Sequence, residues 1–588
     1  MRAEFNNRLA IFQAMFGILL TAVLLRIVVV QHSPEAETFL KMSQNSAWSQ
    51  KVLKPERGRI YDRNGNMLAG NKIVYEIGLT LPNIQDKQAV AMGLSNVLGK
   101  NYEELLGIID SQPAEQIYVT IDQYATKEQG EKLIALRDAP ADQRTLNLAG
   151  LVATPRLTRS YPSGSLASNV LGFVLMNNQG NYGVEEEYDT QLAGTPITVY
   201  IPNDPTQAGD YPNPPKGTDL ILTIDRDIQT MVEKILKDTV ESTGAKRGTI
   251  IVMDPHTGEI LAMANTPQMD LNNVQDFLKT YPTAADYNVA VSTQYEPGSV
   301  FKVLTMAAAL DSGIVTPSTT YLDTGYYEID GVNIFNWDRG AWGVQDMTGC
   351  LQNSLNVCMA RLVEQMGPDT YYRYLNAFGV GRKTGVDMAV EAQGALKDYH
   401  NTSFDDPNRW IPLDMAVNSF GQGVAVSPIQ MLKAASAMAN DGKMVTPHVV
   451  KATITNGVQV NTPVQSPGTP VKAETARTLS DMLALAMDGN ESAARVEGYR
   501  IAGKTGTASI PGPDGQYDPT LTNQSFLGWG PIDDPKFMVY IWYEQPTLDQ
   551  WASVVVSPVF HDIVQNLVVM LDLPPDDQRK QILSNAGQ

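Results

Sequence analysis

A serine becomes a useful nucleophile when a base stands beside it, and one stretch of the chain supplies both. Ser299-Val300-Phe301-Lys302 is the single place where a serine precedes a lysine by three residues. It follows the turn Glu296-Pro297-Gly298 and precedes an apolar run over residues 303–310 that predicts a helix. Ser299 is thereby expected at a helix N-terminus, where backbone N–H groups and the macrodipole favour developing negative charge. Lys302 then lies one turn on along the same face. A lysine amine serves as base when burial disfavours its charged form. Alone the spacing says little: about one chance match is expected in a chain this long, and a helix N-cap followed by a solvated lysine accounts for it.

Two further elements follow in order. Ser354-Leu355-Asn356 offers a hydroxyl and a carboxamide for proton relay and amide binding, if they sit at a helix start or a loop. By itself it is close to uninformative, since Ser43-Gln44-Asn45 has the same form. Lys-Thr-Gly occurs twice. Lys383-Thr384-Gly385 follows a Gly-rich turn soon after Asn356 and is read as structural. Lys504-Thr505-Gly506-Thr507 follows the strand signal Tyr499-Arg500-Ile501-Ala502 and suits a sheet edge beside a nucleophile. There the Lys and Thr side chains meet a carboxylate, and Gly506 permits close approach. Other chemistries are poorly served. No serine has glycine at both −2 and +2, and the five scattered histidines make a Ser-His-Asp reading weak. With two cysteines besides, no metal site or cofactor is expected. Cys350 and Cys358 sit eight apart in what reads as helix, about 12 Å apart along the axis, so they are expected as two buried thiols and not a disulfide.

The elements that must position these groups can be read in outline. Residues 220–224 form a strand signal, Asp225 a candidate N-cap, and residues 228–240 a helix. Strands are expected at 248–253 and 260–264 around the turn Asp254-Pro255-His256-Thr257-Gly258. A mostly helical section runs to about residue 440, and strand signals return at 499–507, 525–529 and 537–542 before a last apolar helix over 558–571. Strands flanking a block of helices imply a sheet with an inserted helical subdomain. Residues 31–215 mix strand signals (73–81), amphipathic helix (88–98) and turns, and the Pro- and Gly-containing segment 203–216 is the best domain boundary.

Ahead of these lies one strong shift in composition. Residues 9–25 have Gln13 as their one strongly polar member, and the apolar character resumes after Arg26 through residue 30. The whole spans roughly 33 Å, enough to cross a bilayer. No A-x-A-like site precedes the polar segment that begins at Gln31, so an uncleaved anchor is expected. Arg2 and Arg8 stand before it, whereas His32, Glu35 and Glu37 follow. That asymmetry keeps the N-terminus in the cytoplasm and puts almost the entire chain outside. Arg26 can snorkel to the interface or meet a partner helix. At 588 residues, with 43% hydrophobic and 18% charged, the chain resembles several ordinary globular domains. A net charge of −20 without basic clusters argues against a nucleic-acid partner.

Taken together the motifs resemble those of the class B penicillin-binding proteins, the monofunctional peptidoglycan D,D-transpeptidases, over nearly the whole chain. The signature is Ser299-x-x-Lys302, Ser354-x-Asn356 and Lys504-Thr505-Gly506, in the settings Tyr295-Glu296-Pro297-Gly298-Ser299, Phe420-Gly421-Gln422-Gly423 and Ala502-Gly503-Lys504-Thr505-Gly506-Thr507-Ala508. More specific to class B are Arg57-Gly58-Arg59-Ile60-Tyr61-Asp62-Arg63-Asn64-Gly65, Arg159-Ser160-Tyr161-Pro162, and Gly183-Val184-Glu185 through Tyr188 to Leu192. Asn169 stands where many relatives have His, away from the catalytic motifs. The resemblance implies an α+β multidomain chain: a cytoplasmic tail (1–8), a transmembrane anchor (9–30), an elongated α+β pedestal or dimerisation domain (31–215), a transpeptidase domain (216–572) and a C-terminal tail (573–588). The transpeptidase domain is implied to have a central antiparallel sheet flanked by helices plus an all-helical subdomain.

The resemblance also implies roles. Ser299 attacks the penultimate D-Ala carbonyl of a stem peptide and releases the terminal D-Ala, with Lys302 as base. Ser354 and Lys504 pass a proton to the leaving amine, and Asn356 binds the stem amide. Lys504, Thr505 and Thr507 hold the carboxylate beside Gly506, and backbone N–H groups of Ser299 and Thr507 form the oxyanion hole. β-Lactam antibiotics acylate the same serine. A SEDS-family glycosyltransferase and other cell-wall machinery are the implied partners, in a bacterial cytoplasmic membrane. Ser354-Leu355-Asn356-Val357 and Ala377-Phe378-Gly379-Val380-Gly381 lean to division or sporulation relatives. An elongation-type enzyme, a D,D-carboxypeptidase and a non-catalytic β-lactam-binding scaffold are the alternatives. A β-lactamase is disfavoured, since no E-x-x-L-N stretch follows Asn356.

Overall fold

The structure is a computed structural model and describes residues 2–31, 48–113, 115–175, 177–202, 213–489, 492–512 and 517–586. It divides into two units, Met1–Glu56 with Gly194–Gly217, and Arg57–Ala193 with Thr218–Gln588. In the first, Arg2–Gln31 is one helix, and its residues 12–29 are long and apolar enough to cross a membrane. Trp48–Leu53 and Ile197–Pro202 pair antiparallel, from Trp48↔Pro202 to Leu53↔Ile197. Residues 203–212 of the expected boundary segment, and His32, Glu35 and Glu37, fall outside the described residues.

The second unit is organised by two sheets. The first is five-stranded and antiparallel, in the order Ile260–Thr266, Arg247–Met253, Phe537–Glu544, Tyr517–Gly530, Ala502–Pro511. Its central strands are apolar on both faces because both faces are covered. Ile251, Met253, Met538, Tyr540 and Trp542 join the core that holds helix Lys302–Asp311. Ile250, Val252, Val539, Ile541 and Tyr543 alternate with them and pack on helices Arg226–Thr243 and Ser557–Met570. Asp225 caps the first of these helices as expected, accepting from the N–H groups of Asp227 and Ile228 at 3.0 and 3.2 Å.

The second sheet joins the two regions that sequence patterning separates. Ile60–Tyr61 runs parallel to Asp219–Leu222 and antiparallel to Met67–Thr80, which pairs in turn with Tyr118–Thr126 and Leu151–Ser160. Helices Lys87–Leu98, Tyr102–Asp110 and Lys127–Arg137 cover this end with their own small core.

The class-B motifs converge at this junction as buried ion pairs. Arg57 Nε donates to Glu185 Oε2 at 2.7 Å and its Nη1 to Asp189 at 2.7 Å, while Arg159 Nε donates to Glu185 Oε1 at 2.6 Å. Burial opposes charge on Arg57, but the Glu185 and Asp189 carboxylates win and raise its pKa above the usual arginine range. Asp62 accepts from the N–H groups of Asn64 and Asn66, closing the turn, and Asn64 and Arg63 reach Asp225 and Glu259. Tyr188 donates to Asp387 at 3.0 Å. Asn169 is buried and donates to Tyr281 Oη at 3.1 Å and to the Tyr287 carbonyl.

The block between Asp311 and Asn440 is less helical than expected: helices Met347–Gln352, Asn356–Met366, Pro368–Ala377, Pro412–Asn418 and Pro428–Ser436 are separated by turns and irregular chain, as over 378–411, and two antiparallel ribbons precede them, Thr320–Asp323 with Gly343–Asp346 and Tyr326–Ile329 with Val332–Phe335. The second closes on Asp330-Gly331, both at positive φ (52° and 74°). Asp-Gly between alternating residues is a hairpin signal, present in the sequence and outweighed there by the surrounding helical periodicity.

Candidate active site

Pro297 leads into a 3₁₀ turn, Gly298–Phe301, which continues as helix Lys302–Asp311. Ser299 is therefore in the first turn of a helix, partly exposed, with Lys302 fully buried behind it. Gly298 is at φ 59°, and a Cβ there would stand 2.9 Å from the Thr507 carbonyl. That brings the Ser299 turn against the edge strand Ala502–Pro511. Gly506 makes the approach possible from the other side: a Cβ at 506 would lie 2.4 Å from Ser525 Oγ and 2.8 Å from the Pro297 carbonyl.

Ser354 is neither mid-helix nor in a loose loop. Helix Met347–Gln352 ends, Ser354 takes φ 50°, and a new helix, Asn356–Met366, begins. A left-handed conformation is uncommon for serine and clusters at functional sites. The bend aims the motif at Lys302, whose Nζ donates to the Ser354 carbonyl at 2.6 Å, Asn356 Oδ1 at 2.8 Å and Ser354 Oγ at 3.2 Å. With its oxygen engaged as acceptor, the Ser354 hydroxyl can direct its proton elsewhere.

The same bend overturns the cysteine expectation. Cys350 and Cys358 form a disulfide, with Cα atoms 6.1 Å apart. The 12 Å separation assumed one continuous helix, but the helix breaks at Ser354, and the break brings Cys358 near the start of the second helix to Cys350 in the first. The bond therefore brackets the Ser354-x-Asn356 turn.

Lys504 lies on the edge strand opposite Leu527, is fully buried, and donates from Nζ to Thr505 Oγ1 at 3.4 Å. Thr507 Oγ1 accepts from the Ala552 N–H at 3.2 Å, which leaves its hydroxyl proton to donate. Lys383-Thr384-Gly385 lies elsewhere: Thr384 is buried, hydrogen bonded to Glu391, and its carbonyl accepts from Lys433 at 2.7 Å.

An open cleft of about 570 Å³, the size of a small-ligand site, is lined by Ser299, Ser354, Asn356, Thr505 and Thr507. Lys302 and Lys504 stand buried behind the wall that these residues form. Sequence patterning missed Trp337, Gln550 and Trp551, which also line it. Trp337 and Trp551 meet edge to face at 5.1 Å. They are single aromatics in turn-rich stretches, with no periodicity to mark them. Gln422 lines the cleft too, beside Gly421, whose carbonyl accepts from the Gly298 N–H at 3.0 Å.

Residues 508–523 are largely strand, paired as far as Pro511↔Tyr517, with residues 513–516 outside the described ones. Ser509 and Thr522 line the cleft, and Tyr517 Oη donates to both oxygens of Glu296 at 3.0 Å.

Residues 248–565 match the family model of the penicillin binding protein transpeptidase domain, and residues 52–205 that of the penicillin-binding protein dimerisation domain. Stage V sporulation protein D of Bacillus subtilis is 32% identical over 580 residues, 96% of this chain and 86% of that protein. Peptidoglycan D,D-transpeptidase FtsI of Escherichia coli is 28% identical over 555 residues, 91% of this chain and 88% of that protein. The crystal structure of penicillin binding protein 3 from Mycobacterium tuberculosis complexed with aztreonam has a TM-score of 0.68 at 26% identity, covering 89% of this chain and 98% of that one. The mixed α+β architecture and both matched domains are those of one family, and the chain belongs to the class B penicillin-binding proteins.

Proposed function

We propose that the protein is a peptidoglycan D,D-transpeptidase that works through an acyl-enzyme on Ser299. The observation that carries this is the set of three bonds from Lys302 Nζ to Ser354 and Asn356, at the wall of a cleft that also presents Ser299, Thr505 and Thr507. Ser299 Oγ attacks the carbonyl of the penultimate D-Ala of a stem peptide while Lys302 takes its proton. Backbone N–H groups of Ser299 and Thr507 receive the oxyanion, an interaction worth about 3–4 kcal/mol in the transition state. Ser354 and Lys504 return a proton to the departing amine of the terminal D-Ala, Asn356 binds the stem amide, and Lys504, Thr505 and Thr507 hold the carboxylate beside Gly506. An amine of a neighbouring stem then attacks the ester, freeing Ser299 and completing the cross-link. β-Lactams enter the same cleft and acylate the same serine.

The domain reading accompanies this one: tail 1–8, anchor 9–30, pedestal 31–215, transpeptidase 216–572, tail 573–588. The anchor keeps the N-terminus cytoplasmic and the catalytic domain outside, which Arg2 and Arg8 before it support. The Cys350–Cys358 disulfide adds support, since such bonds persist in oxidising compartments. A SEDS-family glycosyltransferase is the proposed membrane partner, engaged through the anchor and the pedestal. Disrupting residues 57–62 should then lower the partner's polymerase activity while β-lactam acylation survives. The Ser354-Leu355-Asn356-Val357 and Ala377-Phe378-Gly379-Val380-Gly381 sequences, which lean to division or sporulation relatives, support a septal role over elongation.

The test is intact mass of the full chain in detergent with and without a penicillin, followed by peptide mapping. One persistent adduct on Ser299 is expected. Rapid loss of the adduct would point to a β-lactamase, and no adduct to a scaffold.

A further inference from the structure

Three consecutive residues, Phe335 at the end of its ribbon strand and Asn336 and Trp337 just beyond it, each hold a different point of the Ser354-x-Asn356 turn. The Phe335 carbonyl accepts from Asn356 Nδ2 at 3.0 Å. Asn336 Oδ1 accepts from the Val357 N–H at 3.2 Å. Trp337 Nε1 donates to the Asn353 carbonyl at 3.0 Å. The turn is thus gripped on both sides of Ser354, whose left-handed φ of 50° needs such support.

Asn336 is the fixed point of the grip. It is 2% exposed, and its Nδ2 donates to Asp323 Oδ2 at 2.7 Å and to the Gly340 carbonyl at 3.2 Å. Asp323 is itself 1% exposed and also accepts from the Trp342 N–H at 2.9 Å. These bonds orient the carboxamide so that its oxygen faces Val357, the second residue of helix Asn356–Met366. A buried amide with both ends committed has one orientation, and so does the helix start it holds.

The link to chemistry is Asn356. Its Nδ2 is held by Phe335 while its Oδ1 accepts from Lys302. A shift of residues 335–337 therefore moves the acceptors of the Lys302 amine, without any of the three touching Ser299 in the bonds described. We propose that residues 335–337, with Asn336 as anchor, are a positioning element for the acylation step, setting Ser354 and Asn356 against Lys302. This rests on the acyl-enzyme reading above. Misplacement of a proton-transfer group by about 1 Å costs on the order of 100-fold in rate.

The experiment is stopped-flow acylation of the full chain in detergent by a fluorescent penicillin, resolving the saturation constant from the first-order acylation rate, with melting temperature and final labelled fraction measured alongside. Asn336→Ala removes the fixed point. Trp337→Phe removes one N–H donor and keeps the ring, and it decides the matter if Asn336→Ala does not fold. The expected result is an acylation rate lowered by about 10- to 100-fold in Asn336→Ala and less in Trp337→Phe, with the saturation constant within about threefold of native. Rates within about twofold of native in the folded variants, with loss confined to melting temperature or labelled fraction, would overturn the proposal. A native chain that takes no label would overturn the acyl-enzyme reading, and this inference with it.

Discussion

Lys302 and Ser354 are 52 residues apart in the chain, and the Lys302 amine donates to both the carbonyl and the hydroxyl of Ser354. The carbonyl fixes where the amine sits, and the hydroxyl bond connects the two groups that are proposed to move protons. That geometry exists because Ser354 occupies a left-handed bend between two helices. A continuous helix would turn its carbonyl along the axis toward its own fourth neighbour.

Removing the amine should therefore remove acylation while leaving the fold. Lys302→Met fills the same buried volume without the donor. Acylation of the chain by a penicillin, followed by mass over time, is expected to fall by roughly 10²–10⁴-fold. Acylation at the native rate would refute the proposed role of Lys302.

Gly506 should tolerate no side chain. The Cβ of Gly506→Ala would meet Ser525 Oγ at 2.4 Å, the Pro297 carbonyl at 2.8 Å and Val300 Cγ1 at 3.0 Å. The edge strand must then move away from the Ser299 turn. A loss of about 1–3 kcal/mol in denaturant stability is expected, together with slower acylation of the molecules that remain folded. An unchanged acylation rate would show that the spacing of strand and turn does not matter to the reaction.

Glu185 holds two buried arginines. In Glu185→Gln the Arg57 and Arg159 guanidiniums lose their shared carboxylate in a site where the Glu185 side chain is fully buried. Arg57 keeps Asp189, but a buried charge that loses its carboxylate, as at Arg159, costs about 3–5 kcal/mol. The variant should unfold at markedly lower denaturant, yet label with penicillin at the native rate under folding conditions, since the cluster lies outside the cleft. Stability unchanged by the substitution would sink this account of the junction.

Glu296 should impose a pH dependence on stability. Burial raises its carboxyl above the ordinary glutamate value, against hydrogen bonds from the Gly423 N–H and the Tyr517 hydroxyl that favour the ionised form. An acid whose folded pKa is raised penalises the folded state when ionised, and the penalty is relieved as pH falls through the raised value. Compared with Glu296→Gln, the native chain should lose melting temperature as pH rises from the ordinary glutamate range through that raised value. Parallel melting curves for the two chains across that range are the contrary result.

Much of this protein follows from local order along the chain. The residue types and spacings of Ser299-x-x-Lys302 and Lys504-Thr505-Gly506, the apolar stretch after Arg8, the Asp225 cap and the strands at 248–253, 260–264 and 537–542 were all readable because each depends on neighbours within a few residues. The family's motifs at Arg57, Arg159 and Glu185 were readable as strings, but the buried ion pairs they form were not.

What tertiary structure decided is where remote segments meet. The Ser354 bend joins Lys302 to Asn356 and brings Cys350 to Cys358, and no periodicity announces a single left-handed serine. Trp337 and Trp551 become cleft walls through a contact between segments more than 200 residues apart. Residues 335–337 reach the Ser354 turn through a hairpin set by two positive-φ residues, in a stretch whose sequence reads as helical. Sequence determines which groups are available and which local shapes they favour. Long-range burial and hydrogen bonding, which no local spacing encodes, decide which of them face one another.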